Sequence, residues 1–164
     1  MITTYFLLGS NEGNRRQWLQ QAIDAIEPSC GPIVKKSALY QTAAWGKEDQ
    51  PDFLNMVIEV KTILSPEQLL KAVQEIELQL GRQRKVKWGQ RTLDIDILFY
   101  GDAVIHTDRL VVPHPFLQER RFTLLPLQEI APELMHPVLQ KDVTTLLREC
   151  PDLLEVKKID SGTL

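Results

Sequence analysis

The sequence predicts an α+β fold: a ferredoxin-like β-α-β-β-α-β core, with helices packed on an antiparallel sheet, followed by a C-terminal extension. Strand-forming runs and helical stripes occur in the order strand, helix, strand, strand, helix, strand. The run at 53–63 alternates cleanly, with Phe53, Asn55, Val57 and Glu59 on one side and Leu54, Met56, Ile58 and Val60 on the other. A capped helix follows it. Ser65, Pro66 and Gln68 supply an N-cap, a proline at the first helical position and a capping-box partner, ahead of a stripe of Leu69, Val73, Ile76 and Leu80.

The remaining elements are read in chain order. Tyr5-Phe6-Leu7-Leu8 forms the first strand, stopped by Gly9-Ser10-Asn11. Leu19, Ala22, Ile23 and Ile26 share one helical face, and Pro28 is expected to end that helix. Residues 33–42 read as one strand and residues 43–52 as a polar loop containing Gly46 and Pro51. Gly81 stops the second helix, and a basic loop at 82–91 leads to a central strand at 92–100. Gly101-Asp102 suggests a hairpin that returns 103–105 beside that strand. Beyond Pro113 come short helical pieces around Pro126 and Pro132, a last helix at 143–149 and a weak strand at 156–159. With no repeat, low-complexity tract or linker, 1–164 is expected to form one domain, its last ten or so residues a weak strand and tail.

Composition narrows the function classes. The 164 residues are long enough to bury roughly 70% of the unfolded surface without staples. With 43% hydrophobic and 25% charged residues the chain is globular, and a net charge of −3 argues against a nucleic-acid coat. Cys30 and Cys150 have no second pair, which disfavours a disulfide scaffold or a cysteine zinc site. No apolar run approaches the roughly 20 residues of a membrane span, and the first residues lack a signal peptide's basic flank. The expected setting is cytoplasmic, away from membranes.

The sharpest chemical feature is Asp94-Ile95-Asp96 inside a strand, where positions two apart project from the same face. Two carboxylates about 7 Å apart repel by roughly 2 kcal/mol at an effective dielectric of 20. Cations must offset them, and Mg²⁺ fits when phosphates complete its shell. Solvated acids on an exposed face are the alternative. Just upstream, Arg82, Arg84, Lys85, Lys87 and Arg91 crowd a segment without an acidic residue, which suits a polyphosphate bridged by metal. No Walker A spacing occurs, so side chains and metal must hold any nucleotide. Gln74 and Glu77 flank the buried stripe, and His114 sits in the rigid run Val112-Pro113-His114-Pro115. His106 and His136 read as structural, whereas Trp88 lies in the basic loop and needs a groove or ligand to cover it. An RNA-binding module and another metal-dependent phosphohydrolase or nucleotidyl-type enzyme stay open on these residues alone.

Together the motifs resemble the 6-hydroxymethyl-7,8-dihydropterin pyrophosphokinase family of folate biosynthesis. The resemblance runs through Gly9-Ser10-Asn11, Gln50-Pro51-Asp52-Phe53-Leu54-Asn55, Gly81-Arg82 with Arg84, residues 88–98, Val112-Pro113-His114, Arg120, Phe122 and the stretch from Pro126 to Glu133. It implies transfer of pyrophosphate from ATP to the pterin hydroxymethyl group, releasing AMP, in a monomer whose partners are these two small molecules. By resemblance, Asp94 and Asp96 hold two Mg²⁺ ions, and Arg82 and Arg91 join them as the catalytic set. Arg82, Arg91, His114 and Arg120 fall at triphosphate positions, and Arg84 beside Arg82 is a further ATP-binding position; Gln74, Glu77, Ile97, Arg109 and Leu110 fall around adenine and ribose. Phe53 and Phe122 match the residues that sandwich the pterin. Asn55 and the backbone near Thr42 and Trp45 would read its edge, Gly9 would permit close approach, and Trp88 would close over the site. The sequence departs from the family pattern at Ala43-Ala44, Lys87, Gln90 and Pro115, and its basic loop is about one residue short.

Overall fold

A computed structural model describes residues 1–43, 52–81 and 92–159. Strand β1 (Ile2–Ser10) leads into helix α1 (Arg15–Cys30), followed by β2 (Ile33–Lys36), β3 (Leu39–Thr42) and β4 (Phe53–Thr62). Helix α2 (Pro66–Gln79) and strand β5 (Asp94–Tyr100) complete the core. The C-terminal part contributes β6 (Ile105–His106), β7 (Val111–Val112), α3 (Arg121–Ile130), α4 (Val143–Arg148) and β8 (Val156–Ile159). The main sheet runs β5-β1-β4-β3-β8, with β2 also paired to β4. Every pairing is antiparallel, as the β-α-β-β-α-β order implies.

Helices α1 and α2 cover one face, where Leu19, Ala22, Ile23, Ile26, Leu69, Val73 and Ile76 pack against Phe6, Leu8, Met56, Ile58, Ile95 and Ile97. Burying such side chains contributes roughly 1.5–3 kcal/mol each. The C-terminal extension covers the far part of the other face. Leu124, Leu127 and Ile130 of α3 and Val143 and Leu146 of α4 pack on Tyr5, Leu7, Val57 and Phe99. The first strand is therefore buried on both faces over most of its length, which explains why it reads as a continuous apolar run. One polar tie fixes this second layer, Tyr40 of β3 donating to Glu129 of α3 at 2.7 Å, and within the sheet Tyr5 donates to Glu59 at 2.8 Å.

Four expectations are corrected. Pro28 lies inside α1, which forgoes the hydrogen bond that residue 28 would donate yet continues to Cys30, and the stop falls at Gly31. The strand expected over 33–42 divides at Ser37. Ser37 donates its N–H to Val57 C=O at 2.9 Å while its hydroxyl accepts the Val57 N–H at 2.9 Å. Beyond this break the register is one residue out of step, Lys36 facing Ile58 but Tyr40 facing Asn55. The segment at 103–105 does not return along β5; Ile105 and His106 pair with Val112 and Val111. Finally, β5 is an edge strand rather than a central one. Its outer edge is covered instead of paired: the Ile95 N–H donates to the Glu77 carboxylate at 3.0 Å, and the His114 N–H donates to Leu98 C=O at 2.9 Å. A register shift opposite Tyr5/Phe6 turns Leu98 and Phe99 both toward the second layer, leaving Asp94 and Asp96 on that same face.

Gly31 tests the packing of α1 on β4. Its φ is +135° and an added Cβ would stand 2.0 Å from the Lys61 carbonyl oxygen. Gly31→Ala is therefore expected to destabilise the protein by more than about 3 kcal/mol, lowering Tm by on the order of 10 °C in a thermal melt.

Candidate active site

Strand register assembles the site. Gly9 lies opposite Asp94 on one side and Asn55 on the other, and Leu7 lies between Asp96 and Val57. Tyr40 extends the first row beyond Asn55, and Thr42 stands opposite Phe53. Because alternate residues of a strand share a face, Asp94, Asp96, Leu7, Gly9, Phe53, Asn55 and Thr42 all project from the sheet on the side of α3. The helices of the extension stop short of this end, leaving a cleft of about 580 Å³. Its lining adds Ala43, Glu119, Arg120, Phe122, Pro151, Asp152 and Leu154.

Gly9 has a steric role. A Cβ there would meet the Asn55 Nδ2 atom at 2.5 Å, so the absent side chain makes room for the Asn55 amide to lie across β1. That amide donates to Leu8 C=O at 3.3 Å, which holds the buried side chain in place. Phe53, at the start of β4, and Phe122, in the first turn of α3, both present half-buried rings to the cleft. The Arg120 guanidinium lies 5.8 Å from the centre of the Phe122 ring and 5.2 Å from that of Phe116, within cation–π range of both. The Thr42 hydroxyl is buried in the cleft wall with no hydrogen-bond partner among the described residues. Such a group gains from a ligand that supplies one.

Asp94 and Asp96 are half-buried at the floor of this cleft. Among the described residues no group of three or more His, Cys, Asp or Glu side chains forms a closed metal cage. Two carboxylates opening into a cleft instead match the way Mg²⁺ is bound, through one or two acids with waters and substrate phosphates filling the remaining positions.

The other candidates form a second group. His114 faces a separate cavity of about 210 Å³ beside β6 and β7. Its Nδ1 accepts the Phe116 N–H at 3.2 Å, which leaves the proton on Nε2. Burial, reinforced by the Arg120 charge, pushes its pKa down to about 4. Glu77 is buried against the outer edge of β5, while Ile97 and Leu110 pack in the layer beneath. Gln74 and Arg109 are exposed, and the turn carrying Arg109 and Leu110 is held by their N–H groups donating to the Thr107 hydroxyl. None of Gln74, Glu77, Ile97, Arg109 or Leu110 lines the larger cleft.

Trp45, Arg82, Arg84, Lys85, Lys87, Trp88 and Arg91 lie outside the described residues. Their flanks are pinned: Thr92 donates its hydroxyl to Gly81 C=O at 2.9 Å, and Asp52 receives Arg15 on its carbonyl at 2.6 Å and Gln41 on its carboxylate at 2.7 Å. His136 is structural, as expected. Its Nδ1 accepts the Leu139 N–H at 3.0 Å, its ring meets Phe99 edge-on, and burial lowers its pKa. Sequence reasoning missed Leu7, Glu119, Pro151, Asp152 and Leu154. Leu7 was accessible from its two-residue spacing to Gly9; the three C-terminal residues carry no local signal, because β8 pairing with β3 brings them in.

Comparison with known proteins places the chain in a family. The family model described as 7,8-dihydro-6-hydroxymethylpterin-pyrophosphokinase (HPPK) matches residues 5–132. A 2-amino-4-hydroxy-6-hydroxymethyldihydropteridine pyrophosphokinase from Aquifex aeolicus is 46% identical over 141 residues, spanning 86% of this chain and 88% of its own. The Haemophilus influenzae protein of the same name is 41% identical over 158 residues, spanning 96% and 98%. Among solved structures, wild-type Plasmodium falciparum HPPK-DHPS with SDX-DHP shares the fold with a TM-score of 0.75 at 20% identity. That match covers 91% of this chain but only 43% of the Plasmodium chain. From residues 5–132 and relatives matched over most of their length, the chain belongs to the 7,8-dihydro-6-hydroxymethylpterin-pyrophosphokinase family.

Proposed function

We propose that this cleft is where the chain carries out its family's reaction, taking the pyrophosphate of ATP onto the hydroxymethyl group of 6-hydroxymethyl-7,8-dihydropterin. The chain is a pyrophosphokinase of folate biosynthesis. The observation that carries the assignment of residues is the shared face of Asp94 and Asp96 beside Gly9 and Asn55, in a cleft walled by two phenylalanines. Phe53 and Phe122 suit the two faces of a flat heterocycle, and Asn55 offers both a donor and an acceptor to its amide-like edge. The pterin hydroxyl oxygen bonds to the β-phosphorus as the bond from that phosphorus to the α–β bridging oxygen breaks; AMP leaves with that oxygen and the hydroxyl proton passes to solvent.

Such a transfer depends on positioning and charge neutralisation more than on a nucleophilic side chain. Magnesium, held as two ions by Asp94 and Asp96, would neutralise the triphosphate charge and align it for attack. Arg120, stacked on Phe122 at the cleft, is available to the transferred group, and we assign Arg82, Arg84 and Arg91 the same task from the family pattern. Gln74, Glu77, Ile97, Arg109 and Leu110 are read as the adenine and ribose side, with His114 at the triphosphate. We read the chain as a monomer acting on these two small molecules. Free Cys30 and Cys150 suit a cytoplasmic setting, and no helix among the described residues is long and apolar enough to cross a membrane. Family membership leaves no observation in favour of an RNA-binding module or a phosphohydrolase.

Three outcomes are expected. Asp94→Asn and Asp96→Asn should each lower kcat for AMP formation by about 100-fold or more, in an assay with ATP, Mg²⁺ and the reduced pterin; unchanged turnover sinks the metal assignment. Gly9→Ala, by displacing the Asn55 amide, should raise the pterin KM about ten-fold while leaving the ATP KM near its original value. His114, with its pKa depressed to about 4, should stay neutral from pH 6 to 8 in an NMR titration. Its unfolded form takes a proton first, so its contribution to stability is complete above about pH 6.5 and is lost as pH falls toward 4.

A further inference from the structure

The wall of the cleft includes a segment that the family match does not reach. The matched span ends at residue 132, yet Pro151, Asp152 and Leu154 line the same cleft as Gly9, Asn55 and Asp94. Two anchors put the segment there. Upstream, Val143 and Leu146 of α4 are buried in the second layer. Downstream, β8 pairs with β3 so that Val156 stands opposite Thr42, itself a cleft residue opposite Phe53. The chain between these anchors must cross the end of the cleft beside Phe122. Its side chains alternate as they cross: Asp152 and Leu154 are half-buried, whereas Leu153 between them is 94% exposed.

Asp152 joins this segment to the start of α3. One carboxylate oxygen accepts the Arg121 N–H at 3.0 Å, and the other accepts the Leu154 N–H at 2.9 Å. The N-cap residue of α3, Arg120, makes no side-chain cap bond, so Asp152 provides a capping acceptor from 31 residues away. A negative charge there also suits the helix dipole. The turn that Asp152 holds is the one that carries Arg120 and Phe122 into the cleft.

We infer that the 151–154 segment is a specificity wall for the pterin, with Leu154 contacting the substrate and Asp152 the residue that positions Phe122 and Leu154 together. The inference rests on the reading of this cleft as the pterin site. An aliphatic side chain at Leu154 extends the apolar enclosure that Phe53 and Phe122 offer to a flat ring, while Gln74, Glu77, Ile97, Arg109 and Leu110 do not line this cleft.

The test compares Asp152→Ala, Asp152→Asn, Leu154→Ala and Leu153→Ala by steady-state kinetics in both substrates, with thermal melts in parallel. Leu154→Ala should raise the pterin KM by about five-fold or more while the ATP KM and kcat move less than about two-fold. Asp152→Ala should raise the pterin KM at least as much and the ATP KM with it, because the turn it caps also carries Arg120. Asp152→Asn, which retains one carbonyl acceptor, should recover part of the loss, and Leu153→Ala should behave as wild type. The wall is refuted if both alanine variants keep the wild-type pterin KM, or if Leu154→Ala raises the pterin and ATP KM together. Should Asp152→Ala fail to fold, Leu154→Ala decides alone. A wild-type protein that releases no AMP from ATP and pterin would instead refute the reading of the cleft itself.

Discussion

The site depends on β1 running antiparallel between β4 and β5. That single strand faces Asp94 on one neighbour and Asn55 on the other across Gly9, the one position with no side chain to intervene. A one-residue slip of β5 would turn both carboxylates into the layer beneath α1 and α2, where Ile95 and Ile97 now pack. The apolar alternation of β5 thus holds the acids in place: burying two isoleucines on one face leaves the aspartates only the other. Glu77 reinforces the arrangement by capping the Ile95 N–H, which an edge strand would otherwise leave without a partner.

The acids are tolerated because of where the second layer ends. Over the far part of the sheet, α3 and α4 bury Tyr5, Leu7, Val57 and Phe99. Toward Gly9 and Asp94 neither α3 nor α4 covers the sheet, and the carboxylates are half-buried and line the cleft left among the described residues. Deep burial of two adjacent anions would be expensive, whereas an open floor lets water and cations screen them. The same open floor admits a ligand, so a low-cost position for the charges is also an accessible one.

How much of this was legible follows from how local each signal is. The alternation of 53–63, the cap at Ser65 and the shared face of Asp94 and Asp96 are properties of a few neighbouring residues, and all are found. The sheet position of β5 was not legible. Ile95, Ile97, Leu98 and Phe99 are buried by layers on both faces, which gives an edge strand the composition of a central one. Ser37 gave no warning of the break it makes, because a hydroxyl that accepts the Val57 N–H resembles any strand serine until its partner is known. Pro151 and Leu154 belong to the cleft through contacts distant in sequence, chiefly β8 pairing with β3, more than a hundred residues earlier in the chain. Family resemblance supplied residues that spacing alone would have passed over, His114 and Phe122 among them.

Arg120 links the two groups of candidates. Its guanidinium lies over Phe122 in the cleft and over Phe116, whose ring meets that of His114 at 6.1 Å. A second positive charge at His114 would oppose Arg120, and burial with that charge keeps the imidazole neutral. The neutral ring still offers its Nε2 proton, because Nδ1 is occupied by the Phe116 N–H. One fixed cation beside one neutral donor avoids mutual repulsion before any anion arrives. An arriving phosphate oxygen can then accept the Nε2 proton of the neutral ring while Arg120 meets its charge.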